Sequence, residues 1–183
     1  MAHTSKRAIR PSFDDLEGRQ LLSTLPATSP VAPAIVNYNA EAATASKLGE
    51  STNFDWARWV LHYGGWPESS NNITVITQWM ASEEPTSHWW DRNNPLNNGL
   101  GSGGGSGLGS YPNLLVAAQY VAKNLKEGTA DYGKIVADLK ASAAPHKTAT
   151  AIWDSPWAAS HYSYGRDWHS GPVATVAAPR SAW

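Results

Sequence analysis

The chain has 183 residues, a formal net charge of −1 and no cysteine, with 16% charged and 42% hydrophobic residues. Disulfides, thiolate metal sites and a cysteine nucleophile are excluded, nucleic acid has no electrostatic case, and the apolar content suits one core rather than two. No run of about 18 apolar residues is present, so no transmembrane helix is expected.

Ten tryptophans stand against two phenylalanines. Indoles offer large stacking faces and one N–H donor. They serve equally as a small core or as the wall of a sugar-binding cleft.

Residues 1–50 read as a disordered N-terminal arm. A basic start at Lys6, Arg7 and Arg10 is followed by no apolar stretch of signal-peptide length. Leu25 to Ala45 is rich in Pro, Ala, Thr and Ser, a linker composition. Ordered structure is expected over 51–166. A first helix runs from Phe54 to Tyr63, with Asn53 as its cap and Trp56, Trp59, Val60 and Tyr63 on one face. Gly64-Gly65 ends it.

Asn71 or Asn72 caps a second helix with Ile73, Ile76, Trp79 and Met80 inward, and Pro85 forces its stop. Two carboxylates, Glu83 and Glu84, stand at that stop. Glu83 follows Trp79 by four residues and so lies on the inward stripe, where a glutamate must be paired, protonated or functional. Trp79, Trp89 and Trp90 bracket it, a setting that suits a proton donor with a raised pKa. The structural alternative is a carboxylate paired with an N–H or with Arg92 that closes the helix end. Glu84 reads as a solvated surface charge and Asp91 as a loop residue, each with a catalytic alternative.

The glycine stretch 99–110 lacks the Lys-Ser/Thr of a phosphate loop and reads as a connector or hairpin tip. Pro112 suits the first turn of a third helix, with Leu114, Ala118, Val121, Ala122 and Leu125 buried and Gly128 as its stop. A fourth helix starts near Asp131, with Tyr132, Ile135, Val136 and Leu139 inward. Thr148 caps a fifth, carrying Ile152 and Trp153. Residues 167–183 read as a disordered C-terminal tail. The fold class is mainly α, a compact domain of about five helices. His161 and His169 form no His-x-x-x-His pair and Ser155 no Gly-x-Ser-x-Gly elbow, so neither a metal site, a cofactor nor serine catalysis is expected.

Two resemblances add to this reading. Leu16-Glu17-Gly18-Arg19-Gln20-Leu21-Leu22 resembles a Leu-Glu-Pro-Arg-x-Leu-Leu motif at the start of surface or exported proteins of planctomycete-type bacteria. It implies an exported or envelope protein. Further on come Trp56-Ala57-Arg58, a helix ending Trp79-Met80-Ala81-Ser82-Glu83, Asn94-Pro95-Leu96-Asn97 and a glycine/serine stretch. Tyr111-Pro112, Tyr132-x-x-Ile135-Val136-x-x-Leu139 and Ser155-Pro156-Trp157 follow. This order resembles lysozyme-like domains of phage tail and lysis proteins and of bacterial exported proteins, small helical relatives of goose-type lysozyme and lytic transglycosylases. It covers roughly residues 54–165.

The resemblance implies cleavage of the β-1,4 bond of peptidoglycan by a single glutamate. Glu83 takes the acid's place, with Glu84 as the alternate and Asp91 as a possible assistant. Trp79, Trp89 and Trp90 would line the cleft, Asn94 and Asn97 would face it, and Tyr111 would close it. Two departures stand out: Glu84 replaces the glycine after the acid, and Leu108-Gly109-Ser110 replaces a Val-Gln before Tyr-Pro. A glycan-binding module without turnover, or a structural surface protein, is the alternative.

Overall fold

Thr52 opens the first helix. Its hydroxyl accepts from the Asp55 amide at 3.2 Å, and the Asp55 carboxylate accepts from the Thr52 amide at 3.0 Å, a reciprocal capping box. The structure, a computed structural model, describes residues 48–104, 109–127, 132–158 and 161–183. Of the N-terminal arm expected over 1–50, residues 48–50 are ordered instead, with Leu48 buried in the core and the Gly49 carbonyl bonded to Trp59, while residues 1–47, with the Leu16–Leu22 motif, lie outside the described residues. So do 105–108 of the glycine stretch, Gly128 and Asp131.

Five helices follow in order: α1 (Asn53–Gly64), α2 (Ser70–Glu83), α3 (Leu114–Glu127), α4 (Gly133–Lys140) and α5 (Pro145–Trp153). The mainly α fold class read from periodicity is the observed one. The caps differ from those expected. Thr52 rather than Asn53 caps α1, and Ser69 caps α2 by accepting from the Asn72 amide at 3.3 Å. Asn113 accepts from the Val116 amide at 2.9 Å at the start of α3. Pro145 occupies the first turn of α5, so Thr148 lies inside the helix instead of capping it. Gly65 ends α1 at φ 70°, a left-handed position where glycine carries no Cβ penalty.

α1 packs most closely on α3 and also touches α2, while α5 bridges α2 and α4. Trp56, Trp59, Trp79, Trp89, Leu114, Ile135 and Ile152 are buried at the centre. Several tryptophans do more than fill space, because their N–H ties one segment to another. Trp56 Nε1 donates to the Leu114 carbonyl at 2.8 Å, Trp59 Nε1 to that of Gly49 at 2.8 Å, and Trp157 Nε1 to that of Leu96 at 3.3 Å. Among the described residues no helix is long and apolar enough to cross a membrane.

The C-terminal segment departs from the expected disorder. It runs back along α1 and α2 and is hydrogen-bonded to both. Asn53 donates through Nδ2 to the Ala174 carbonyl at 2.9 Å, and its Oδ1 accepts from the Val176 amide at 3.0 Å. Ala178 donates to the Ser51 carbonyl at 2.7 Å, and Thr52 and Ala177 form an isolated antiparallel bridge. Gln78 Nε2 donates to the Ser170 carbonyl at 2.9 Å, and the Trp89 indole to that of Val176 at 2.9 Å. Backbone bonds and two amide side chains hold this strap, so no apolar period announces it.

Candidate functional site

Pro85 stops α2 after Glu83, and the inward register of that last turn buries the Glu83 side chain to 5% exposure. Three groups meet its carboxylate. Oε1 accepts from the Tyr162 hydroxyl, and Oε2 accepts from Asn97 Nδ2 at 3.0 Å. His161 Nε2 stands 3.7 Å from Oε2, with a side chain 62% exposed. The Tyr162 oxygen in turn accepts from Trp79 Nε1 at 2.7 Å. An indole N–H only donates, so the phenol's own proton is directed at Glu83. Burial first, and the adjacent Glu83 carboxylate second, hold the Tyr162 hydroxyl far above the usual phenol range. It stays protonated and remains a donor.

A second layer fixes Asn97. Arg92 donates to Asn97 Oδ1 at 2.5 Å and to Glu84 Oε1 at 2.5 Å. Arginine only donates and a carboxylate only accepts when ionised, so the amide of Asn97 has one orientation consistent with both neighbours. The line Glu84, Arg92, Asn97, Glu83, Tyr162, Trp79 is continuous. Glu84 is therefore an ion-paired side chain, 14% exposed, rather than a solvated charge. Arg92 closes on Glu84, so of the two pairings in the structural alternative the one with Arg92 does not form, while an N–H, that of Asn97, does meet Glu83.

Both loops that reach Glu83 are strained. Six described non-glycine residues have φ in the left-handed region, and five of them are Arg92 (57°), Asn93 (49°), Asn97 (47°), Ser163 (46°) and Tyr164 (55°). Asparagine tolerates this region, whereas arginine and tyrosine adopt it at a cost. Strain of this kind persists where the surroundings impose it, and it gathers at functional sites. Here Gly165, at φ 93°, lets the 163–165 turn press against Trp153: a Cβ there would lie 2.7 Å from the Trp153 ring.

No family model matches this chain, and neither a curated protein nor a solved structure does.

The remaining residues expected at the site fall into two groups. Trp79, Trp89, Asn94 and Tyr111 are interior. Trp79 packs edge-on against Trp157 at 4.8 Å and orients Tyr162. Trp89 carries the C-terminal strap, and its N–H is spent on the Val176 carbonyl rather than on Glu83. Asn94 folds its own loop, with Nδ2 donating to the Gly109 carbonyl at 3.1 Å and Oδ1 accepting from the Asn98 amide at 2.9 Å. Tyr111 stacks on Tyr120 and donates to the Leu100 carbonyl at 2.5 Å, and burial pushes its hydroxyl up to about 12. Of these four, only Trp79 is bonded to a group that holds Glu83.

Trp90 and Asn97 remain partly open, and Asp91 is exposed. Trp90, Asp91 and Arg92 line a polar hollow with Asn93, Ser110 and Ser181. Tyr162 and His161 were not anticipated as site residues. Their only signal is a His-Tyr-Ser-Tyr-Gly run beyond the last helix, a polar and aromatic cluster with no regular period.

Proposed function

We propose that this chain cleaves the glycan strand of peptidoglycan with Glu83 as its general acid, in an exported or envelope location. The observation that carries this reading is one carboxylate, buried at a helix end, held at one oxygen by Tyr162 and facing an exposed histidine at the other. No other carboxylate is bonded to Glu83 or its direct partners among the described residues; Glu84 joins through Arg92. A single-acid scheme fits. Glu83 gives a proton to the glycosidic oxygen, the bond from that oxygen to the anomeric carbon breaks, and the electron pair leaves with the oxygen. The cationic sugar is then closed by water or by its own C6 hydroxyl, whose proton returns to Glu83. In this scheme the proton passes through Oε2, the oxygen beside Asn97 and the exposed His161, while Tyr162 holds Oε1.

One observation favours a second reading, a glycan-binding module without turnover. Both Glu83 oxygens already accept a hydrogen bond, an arrangement suited to holding a loop. One experiment separates the two. Purified protein and its Glu83→Gln variant are incubated with peptidoglycan, and released fragments are analysed by mass. The enzyme reading expects fragments from the wild type and at least about a hundredfold fewer from the variant, with sedimentation on the glycan retained by both. Anhydro ends on the products identify closure by the C6 hydroxyl, and reducing ends identify water. Retained sedimentation without fragments from either protein overturns the enzyme reading in favour of the module.

A further inference from the structure

Among the described residues, two large apolar side chains are exposed: Leu100, at 40%, and Tyr164, at 78%. Both follow a partner of Glu83 closely in sequence. Leu100 follows Asn97 by three residues, and Tyr164 follows Tyr162 by two. A single exposed apolar side chain needs no explanation. Tyr164 differs, because its backbone is strained as well.

Ser163, Tyr164 and Gly165 are consecutive left-handed residues, with φ of 46°, 55° and 93°. The turn is braced from several sides. Gly165 donates to the Tyr162 carbonyl at 2.8 Å, the Ser163 hydroxyl donates to the Asp167 carboxylate, and Trp168 donates to the Gly165 carbonyl at 3.4 Å. The structure thus holds a tyrosine in a conformation it disfavours and gains almost no burial of its ring. Asparagine or glycine would occupy the position with less strain. Packing does not account for a tyrosine there.

We infer that Tyr164 is a ligand-facing platform on which a pyranose ring of the glycan stacks beside Glu83. This rests on the glycan reading above and adds a binding residue to it. An exposed aromatic face meets the apolar C–H face of a sugar, while polar groups at its edge meet the hydroxyls. Those groups are present at either end of the same turn: His161, Ser163 and Asp167. The braced turn fixes the backbone that carries the ring before any ligand arrives, which lowers the ordering cost of binding.

Binding of a soluble β-1,4-linked N-acetylhexosamine oligosaccharide is measured by calorimetry for the wild type, Tyr164→Asn and Tyr164→Phe, together with thermal midpoints. The proposal expects about tenfold weaker binding by Tyr164→Asn and binding within about twofold by Tyr164→Phe, which keeps the ring. It also expects no fall in the thermal midpoint of Tyr164→Asn, because that change relieves strain and uncovers little. Equal binding by the wild type and Tyr164→Asn overturns the platform while leaving the glycan reading intact. Equal loss in the Phe and Asn variants overturns stacking in favour of the hydroxyl. No binding by the wild type, with none to peptidoglycan either, overturns the glycan reading and the platform with it.

Discussion

Tyr162 has one hydroxyl hydrogen to donate, and Glu83 accepts that bond. Replacing Tyr162 with phenylalanine removes that donor and also the acceptor for the buried Trp79 N–H. An orphaned buried donor costs about 1–3 kcal/mol. Urea denaturation of Tyr162→Phe is expected to show a loss of that size, with the helical circular dichroism spectrum unchanged. Thr148 gives the opposite case. It is buried, its hydroxyl has no partner, and it borders an apolar void of about 10 Å³ beside Val60, Trp79 and Ile152. Thr148→Val keeps the shape and removes the unpaid desolvation, so a gain of about 1 kcal/mol in urea stability is expected. A loss would show that the hydroxyl has a partner in solution. Of the site residues, Glu83 was legible because its register on α2 is fixed by Ile76, Trp79 and Met80. Tyr162 was not, because nothing in its local sequence fixes which way a short irregular turn faces.

At the scale of elements, periodicity located all five helices, since each carries an inward stripe of apolar residues. The caps were less legible because Thr52-Asn53 and Ser69-Ser70-Asn71-Asn72 each offer several capable side chains. What decides among them is the chain's path before the helix. Asn53 shows the consequence. Freed from capping α1, its amide clamps the strap at Ala174 and Val176. Asn53→Ala leaves the Thr52–Asp55 capping box in place and removes the clamp. Hydrogen exchange is expected to quicken at the Val176 and Ala178 amides while the α1 interior keeps its protection. Uniform quickening across α1 would mean that Asn53 supports the helix itself.

Across the whole molecule, the tryptophans divide by partner. Trp56, Trp59 and Trp89 each spend their N–H on a backbone carbonyl remote in sequence or in the fold. Trp79 alone among the fully buried ones spends it on a side chain, and that side chain holds Glu83. Composition shows the abundance of indoles but not this division, because a core indole and a site indole share the same helical spacing. The C-terminal strap was illegible for a related reason: amide-to-carbonyl bonds leave no mark in hydrophobicity. Asn53 and Val176 lie 123 residues apart in sequence. During synthesis α1 leaves the ribosome early, yet the acceptor and donor that complete its N-terminal end are translated 121 and 123 residues after Asn53. A nascent chain halted before residue 174 would carry all five helices and still present an unclamped Asn53 and a bare Trp89 edge. Final closure of this domain thus waits for the strap to be made, and the interval before it is when a chaperone or protease has the most to grip.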